Sequence, residues 1–214
     1  MKTVEVAGRQ ALVDASRRLD ALGLNHGSAG NVGLRIVGGA LLTPTGIPPA
    51  VLEPSDIVAV DPEGVPPAGQ LVPTSEWRLH VAVLAARPDV GAVVHTHSPE
   101  LTAMACLGRP LPAIHYVIAR AGRAAVPCAP YATYGSAELA ANVVATLGAG
   151  WACLMANHGA LTVGATLDAA VALAADLEWL AGVHRRAVSM GTPVVLPDDE
   201  IARVAVLFET YGQP

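Results

Sequence analysis

The sequence predicts a three-layer α/β/α fold with a central mixed, largely antiparallel sheet. Stretches with helical spacing of apolar residues alternate with short β-branched or leucine-rich runs, without a linker or an internal repeat. The early strands are joined by turns too short for the crossovers that parallel pairing requires. A length of 214 residues suits one domain, 1–214, with a large core. A doubly wound nucleotide-binding sheet is the weaker alternative, because the glycines of 27–33 lack the Gly-x-Gly-x-x-Gly form.

The individual elements follow from periodicity and from turn residues. An amphipathic helix over about 4–22 ends at Gly23, and the strands 31–37 and 40–42 flank a Gly38-Gly39 turn that is typical of a hairpin. Pro88 ends a helix that begins near Thr74, where Thr74 or Ser75 can cap it. The other predicted elements are the strands 57–60, 90–96 and 152–156, the helices 100–107, 137–147 (capped by Ser136), 167–190 and 201–211, and extended or loop segments at 126–127 and 130–134.

Composition excludes several classes of function. Charged residues make up only 14% of the chain, against roughly 25% in an average protein, which favours a surface partly hidden in an oligomer; an alanine-rich bias is the alternative. A net charge of −5 and the absence of a Lys/Arg cluster argue against nucleic acid as a partner. The most apolar helical stretch, 165–183, contains three acidic residues, so no membrane span is expected, and the charged N-terminal helix does not resemble a signal peptide.

The cysteines indicate a reducing compartment. Cys106, Cys128 and Cys153 are odd in number and scattered in apolar surroundings. We interpret them as small core residues of a reduced, cytoplasmic protein and assign them no function.

Three histidines carry the strongest chemical signal. His95 and His97 end an apolar run, and side chains two apart on a strand point to the same side of the sheet. His158 follows another apolar run and can complete a triangle with them. Three neutral imidazoles with a fourth position open are typical of a catalytic zinc site. The alternative is a pair of buried histidines that are hydrogen-bonded in a core.

Glu76 and His80 lie on one face of the predicted helix that begins near Thr74. By itself a glutamate in a first turn is more often a helix-dipole or capping partner, but beside a metal it can serve as ligand and general base. His80 is more often a helix-face histidine packed against the sheet, with a role as ligand or as partner of a ligand as the alternative.

Three short segments are rich in hydroxyl and amide donors: 27–31, 43–46 and 74–75. Such loops and helix starts can bind an anion through hydroxyls and backbone N–H groups without a lysine. This suits a phosphate ligand in a chain that has no basic patch. The alternative is three ordinary turns.

Together these motifs resemble the class II, zinc-dependent sugar-phosphate aldolases of the fuculose-phosphate aldolase type, which belong to the fold group that also includes adducin-like domains. The resemblance covers nearly the whole chain, to Tyr211-Gly212. The segments that carry it are GLNHGSAGNV (23–32), LTPTGIP (42–48), PTSEWRLH (73–80), VHTH (94–97), PAIHY (112–116), PCAPYATYG (127–135) and NHG (157–159).

The resemblance implies a function and a role for each matching residue. The reaction would be reversible cleavage of a ketose 1-phosphate, such as L-fuculose 1-phosphate, into dihydroxyacetone phosphate and an aldehyde such as L-lactaldehyde, through a zinc-stabilised enediolate. The enzyme would be a homotetramer with sites at subunit interfaces. The implied residues are His95, His97, His158 and Glu76 as ligands of Zn2+ (or of Co2+ or Mn2+), Glu76 as base, Tyr116 as a proton donor in a neighbouring subunit's site, Ser28, Asn31, Thr45, Gly46, Thr74 and Ser75 at the phosphate, and Tyr134 and Tyr211 at the aldehyde.

Two further features favour cleavage chemistry on a metal. Lys2 is the one lysine of the chain, so a Schiff-base lysine mechanism is not expected. The helix after His158 has no histidine suited to be a fourth ligand before His184, whereas some pentulose-phosphate epimerase relatives have one. A pentulose-phosphate 4-epimerase, a methylthioribulose-1-phosphate dehydratase and, more remotely, a non-catalytic adducin-like interaction domain stay open as alternatives.

Overall fold

The computed structural model describes residues 2–208 and 210–211, with side chains from residue 5 onward. Within them the chain forms a seven-stranded sheet flanked by helices and a separate two-stranded sheet. The helices are α1 (Lys2–Ala21), α2 (Trp77–Ala86), α3 (Pro99–Cys106), α4 (Ala137–Leu147), α5 (Leu167–Met190) and α6 (Asp198–Phe208). The strands are β1 (Asn31–Ile36), β2 (Gly39–Leu42), β3 (Val58–Val60), β4 (Ala92–Thr96), β5 (Leu111–Pro112), β6 (Ala125–Val126), β7 (Cys128–Ala129), β8 (Ala152–Met155) and β9 (Gly159–Gly164).

The large sheet has the strand order β3-β2-β1-β4-β9-β8-β7. Its pairs are antiparallel except β7 with β8, which is parallel. The predicted mixed, largely antiparallel sheet is therefore confirmed, as is the hairpin at Gly38-Gly39. Strands β5 and β6 form the small second sheet.

Alternate residues of β4 face opposite layers of helices. Val93 packs in the core cluster that contains residues of α2 and α4. Ala92 and Val94 pack in another cluster, together with residues of α1 and α5. Because side chains alternate along a strand, His95 faces the same side as Val93, toward the layer that contains α2.

The helix that carries Glu76 begins later than the sequence predicted. We expected a start near Thr74 with Thr74 or Ser75 as cap, but α2 begins at Trp77 and Glu76 is its N-cap residue. The reason is a sheet-like contact: the Thr74 N–H donates to the Thr43 carbonyl at 2.9 Å, and Pro73 forms a β-bridge with Pro44. Pro73 and Thr74 are thus held beside the loop 43–46, and Ser75 and Glu76 form a turn that leads into α2.

Other elements differ from prediction mainly at their ends. Helix α5 has the predicted bounds, and the Ser136 hydroxyl caps α4 by accepting from the Leu139 N–H at 3.1 Å. Strand β9 was missed. Of the two segments predicted as extended or loop, 126–127 overlaps the end of β6, and 130–134 forms no helix or strand. Helix α6 begins at Asp198 rather than at 201, and Tyr211 lies beyond its last described residue. No helix within the described residues is both long and apolar enough to cross a membrane.

Candidate active site

The three predicted histidines converge at one end of the sheet. His95 lies in β4 and His97 follows its last residue. His158 comes from the turn between β8 and β9. The centroids of the three rings are 4.7–5.0 Å apart. The predicted triangle of imidazoles is present.

The turn that presents His158 has an unusual backbone. The His158 N–H donates to the Met155 carbonyl at 3.0 Å, and Asn157 within this turn has a φ of 53°. Asparagine tolerates this left-handed conformation better than most residues. After it, a Cβ on Gly159 would lie 2.4 Å from the Thr96 carbonyl oxygen, so glycine is required there for β9 to approach β4 this closely.

The orientation of the His95 ring is determined by its outer nitrogen. Nδ1 lies 3.0 Å from the Ala160 carbonyl oxygen, which can only accept a hydrogen bond. Nδ1 therefore carries a hydrogen, and in a neutral imidazole this leaves the lone pair on Nε2. Nε2 faces His97 Nε2 at 2.8 Å and Glu76 Oε2 at 3.0 Å. A carbonyl behind a histidine that points its free nitrogen inward is the usual support of a metal ligand.

Glu76 is directed at the histidines and not at its own helix. Its carboxylate makes no capping hydrogen bond, so the helix-capping alternative does not hold. Oε2 lies 3.0 Å from His95 Nε2 and Oε1 lies 3.5 Å from His158 Nε2. The side chain is only 5% exposed, yet Oε1 has no hydrogen-bond partner among the residues that the structure describes. An unpartnered buried carboxylate oxygen is costly unless a cation lies beside it.

Charge interactions in the cluster favour ligand-ready protonation states. Burial raises the pKa of Glu76, but the interactions with His95, with His158 and with the Asn31 amide outweigh this and hold that pKa well below its usual range. Burial and the two neighbouring imidazoles lower the pKa of His97 to about 4, and burial also lowers the pKa of His158. An ionised carboxylate at Glu76 and neutral imidazoles at His97 and His158 are states that bind a divalent metal.

The residues present fit a bound metal ion. One ligand atom from each of Glu76, His95, His97 and His158 lies within 4.8 Å of the other three. The Nε2 atoms of the three histidines face one another or the Glu76 carboxylate, and the Glu76 oxygen without a partner among the described residues belongs to a negatively charged group. Nitrogen and oxygen ligands of this kind suit zinc and several other first-row divalent ions.

A cavity of about 300 Å3 opens beside this cluster. It brings together Glu76, His97 and His158 with the seven residues that were predicted for the phosphate and for one aldehyde position. These seven are Ser28, Asn31, Thr45, Gly46, Thr74, Ser75 and Tyr134. Three separate segments predicted to offer hydroxyl and N–H groups thus share one cavity with the metal cluster.

The cavity also contains residues that sequence analysis did not select. Tyr131 and Asn157 are exposed and line it, as do Ala29, Gly30, Pro44 and Ala132. Tyr131 lies three residues before Tyr134, and Asn157 directly precedes His158. The signal in the sequence that could have identified both as cavity residues was their position close to a predicted site residue.

Tyr116 and Tyr211 are not among the residues that line the cavity beside the metal cluster. Both line a second cavity of about 480 Å3, formed by the 3-10 helix Tyr116–Ala121 and by α6. Tyr116 is 51% exposed and stacks on His115, with ring centroids 4.4 Å apart. The structure of one chain does not bring these tyrosines to the metal cluster, and the prediction that Tyr116 serves a neighbouring subunit stays a prediction.

Two asparagine side chains form hydrogen bonds to residues of the metal cluster. The Asn25 Oδ1 accepts from the His97 backbone N–H at 3.0 Å. The Asn31 Nδ2 donates to Glu76 Oε2 at 3.1 Å, and the Asn31 Oδ1 lies 2.5 Å from His80 Nε2. His80 is fully buried against the sheet, as expected, but it is also connected to Glu76 through Asn31. Sequence analysis assigned Asn31 to the phosphate and did not connect it to Glu76.

Comparison with known proteins identifies the family. Residues 10–184 match the model described as Class II Aldolase and Adducin N-terminal domain. This covers most of the chain, which therefore belongs to that family. Its named relatives are class II aldolases, and the chain is an enzyme of this class, a carbon–carbon lyase.

Individual relatives are similar over nearly their whole length. The chain is 48% identical over 207 residues to a 5-methylthioribulose-1-phosphate/5-deoxyribulose-1-phosphate aldolase of Rhodospirillum rubrum, covering 97% of this chain and 93% of the relative. It is 46% identical over 202 residues to an L-fuculose phosphate aldolase of Escherichia coli O6:H1, covering 94% of each. A solved L-fuculose 1-phosphate aldolase superposes with a TM-score of 0.92 at 36% identity, covering 95% of this chain and 96% of that one. The predicted fold class is thereby confirmed.

Asn157 provides a test of how the turn positions His158. Asn157→Gly should retain the turn, because glycine adopts a φ of 53° without strain. Asn157→Val should lower the free energy of unfolding by about 1–2 kcal/mol, the cost of a left-handed conformation for a branched residue. Urea unfolding of the two variants measures the difference. Equal stability of both would show that the turn does not depend on this backbone conformation.

Acid should destabilise the metal-free chain through His80. Burial lowers the pKa of His80 from 6.5 to about 4, so the unfolded chain takes up the proton first as the pH falls. The resulting loss of unfolding free energy is absent above pH 6.5 and grows as the pH falls from 6.5 to about 4. Below that pH it stays constant, at on the order of 3 kcal/mol.

His80→Leu should remove the part of the pH dependence that comes from His80, since the other histidines are present in both proteins. Urea unfolding of wild type and His80→Leu at pH 7 and at pH 4.5 measures the change in the free energy of unfolding. A loss of stability on acidification that is equal in wild type and His80→Leu would contradict the assignment.

Proposed function

We propose that this chain is a metal-dependent aldolase that reversibly cleaves a ketose 1-phosphate into dihydroxyacetone phosphate and an aldehyde. The observation that carries the proposal is the convergence of Glu76 and three histidines beside a cavity with many neutral hydrogen-bond donors. Membership of the class II aldolase family supports the same reaction class.

The phosphate group of the substrate binds to neutral donors in this proposal. Ser28, Thr45, Gly46, Thr74 and Ser75 line the cavity and can offer hydroxyl and backbone N–H groups to it. No arginine or lysine is among the described lining residues, so N–H and O–H groups must provide the binding. Asn31 was also predicted there, and its amide contacts Glu76 in the absence of substrate.

Glu76, His95, His97 and His158 hold a divalent ion, for which we propose Zn2+, while Co2+ or Mn2+ can take the same ligands. Such an ion supplies Lewis acidity to the carbonyl and hydroxyl oxygens of the substrate and stabilises the negative charge that develops near C2 and C3. The distances of 3.0 Å from Glu76 to His95 and 3.5 Å from Glu76 to His158 support this role of its carboxylate.

Glu76 and Tyr116 move the protons. In the synthesis direction, Glu76 removes a proton from C3 of dihydroxyacetone phosphate, and C3 then forms a bond to the aldehyde carbon. The Tyr116 hydroxyl, contributed by a neighbouring copy of the chain, donates a proton to the aldehyde oxygen. In cleavage the same steps run backwards: the C3–C4 bond breaks, the C4 hydroxyl proton goes to Tyr116, and Glu76 returns a proton to C3. Tyr134 and Tyr211 border the aldehyde.

L-Fuculose 1-phosphate, which gives L-lactaldehyde, is the substrate we propose first, in line with the relatives that carry this name. The 48% identical relative favours 5-methylthioribulose 1-phosphate or 5-deoxyribulose 1-phosphate as a second candidate. All three sugars give dihydroxyacetone phosphate and differ only in the aldehyde. The epimerase and dehydratase alternatives share the proposed substrate class, and product analysis separates them from an aldolase.

We also propose that the whole chain acts as one domain in a cytoplasmic homotetramer. Exposed aromatic residues on the 3-10 helix and on α5, Tyr116 and Trp179, give a surface suited to contact another copy. Three free cysteines agree with a reducing compartment. Light scattering of the purified protein measures the subunit number.

Detection of dihydroxyacetone phosphate with a coupled NADH-dependent dehydrogenase tests the proposed function. L-Fuculose 1-phosphate and 5-methylthioribulose 1-phosphate are supplied in parallel, before chelation, after chelation and after Zn2+ is restored. Release that stops with chelation and returns with zinc supports the aldolase and its metal. A metal-loaded enzyme that converts either sugar without releasing dihydroxyacetone phosphate would overturn it in favour of epimerase or dehydratase chemistry.

Replacing the proposed base separates binding from turnover. Glu76→Gln should still bind one metal ion through three histidines, but lose about 100-fold or more in kcat, because proton transfer by a positioned group contributes about that much. Metal analysis and the coupled assay check both parts. The matched control is Glu138→Gln, an exposed glutamate in the first turn of α4. Turnover of Glu76→Gln near that of the control would remove Glu76 from this role.

A further inference from the structure

His80 lies one helical turn after Glu76, on the buried side of α2. None of its surface is exposed to solvent. It is not among the groups that can hold the metal, and it does not line the cavity beside the cluster. A fully buried imidazole outside the proposed chemistry requires an explanation, because burying a polar ring costs free energy unless its polar atoms are paired.

A chain of two hydrogen bonds connects His80 to Glu76. The Asn31 Nδ2 lies 3.1 Å from Glu76 Oε2, and the Asn31 Oδ1 lies 2.5 Å from His80 Nε2. A carboxylate only accepts hydrogen bonds, so the amide nitrogen must face Glu76 and the amide oxygen must face His80. That oxygen also only accepts, and His80 Nε2 must therefore carry the hydrogen. In the neutral ring this leaves a lone pair on Nδ1, which is buried and has no hydrogen-bond partner in the described part of the chain.

The strand beside His80 is shaped to admit this ring. A Cβ on Gly33 of β1 would lie 2.5 Å from His80 Nδ1 and 2.9 Å from a Leu42 methyl. Any side chain at position 33 would push the imidazole from its place. Glycine at this position thus lets α2 bring His80 against β1, two residues from Asn31.

We propose that His80 is a positioning residue, which fixes the Asn31 amide in the orientation that donates to the Glu76 carboxylate. The inference deepens the proposed function, since it assigns a support to the group that moves the C3 proton. His80 itself touches neither substrate nor metal and acts through Asn31. Asn31 holds Oε2 of Glu76, and Oε1 is left free toward His158 and the metal centre.

Removal of the His80 donor has a defined consequence. The Asn31 oxygen would be buried without a donor, and a turn of the amide by 180° would face that oxygen toward Glu76. Two acceptors would then oppose each other at the distance where Nδ2 now donates to Oε2, 3.1 Å. Glu76 would lose its amide partner, and its carboxylate would leave its position relative to the histidines.

Side chains of different reach at position 80 test this inference. In His80→Gln the amide nitrogen is as many bonds from the backbone as the imidazole Nε2, and it can donate to Asn31. His80→Asn has the same polar group but is one bond too short. His80→Leu fills the space without a donor. The metal-loaded enzymes are compared by kcat and KM, in the wild-type background and together with Asn31→Ala.

The expected order of kcat values among the variants distinguishes a role in hydrogen bonding from a role in packing. We expect kcat to fall about tenfold in His80→Leu and His80→Asn, and to stay within about threefold of wild type in His80→Gln, with KM changed less than kcat. In the Asn31→Ala background, His80→Leu should lower kcat by less than twofold, because the residue through which His80 acts is gone. Equal losses in both backgrounds, or a His80→Gln variant as slow as His80→Leu, would overturn the inference.

A spectroscopic measurement gives a readout independent of turnover. With Co2+ as the bound metal, the visible absorption bands report the arrangement of ligands. These bands should shift in His80→Leu and match wild type in His80→Gln. Unchanged bands in His80→Leu would overturn the positioning role, even if no ketose phosphate proves to be a substrate. Inactivity of the wild-type enzyme toward the ketose 1-phosphates would overturn the proposed function separately.

Discussion

The pairing of β4 with β1 on one side and with β9 on the other is the constraint on which the site depends. In this register His95 lies opposite Asn31 on β1 and opposite Leu161 on β9, and Thr96 lies opposite Ala160. A shift by one residue would turn His95 and His97 to the other face of the sheet. The close contact of Gly159 with the Thr96 carbonyl secures the register at the site itself.

The site contains buried polar and charged groups whose burial costs free energy, and a bound cation can lower that cost. A buried carboxylate, one of whose oxygens has no hydrogen-bond partner among the described residues, and three imidazoles are brought together at one end of the sheet. Each group alone would favour a solvated position. The surrounding structure holds them in place through the Ala160 carbonyl behind His95, Asn25 behind the His97 backbone and Asn31 beside Glu76. The arrangement is therefore preorganised for metal, and metal binding should stabilise the folded chain by mass action.

Sequence reasoning succeeded where chemistry follows local spacing. The histidines at 95 and 97 share a face because strand geometry has a period of two, and the small donor-rich segments were recognisable from their residue types. It failed where distant residues decide the local structure. Thr43, 31 residues before Thr74 in the chain, holds Thr74 extended and delays the start of α2, and no local signal encodes that contact. The contact of His80 with Asn31 spans 49 residues and depends on Gly33. The sequence around Gly33 does not show why glycine is needed there, because the reason is the packing of α2 on β1.

The two ends of the proposed substrate would be recognised by different parts of the protein. In the proposed function the phosphate end and the reacting carbons would bind in the cavity beside the metal cluster, which Tyr134 also lines. Tyr116 and Tyr211 belong to the surface formed by the 3-10 helix and α6, where Tyr116 and Phe208 stack with ring centroids 6.1 Å apart. In the proposed function, changes on that surface would alter the preferred aldehyde and leave the metal ligands in place. Such a separation would fit relatives of nearly equal identity, 48% and 46%, whose names give different sugar phosphates.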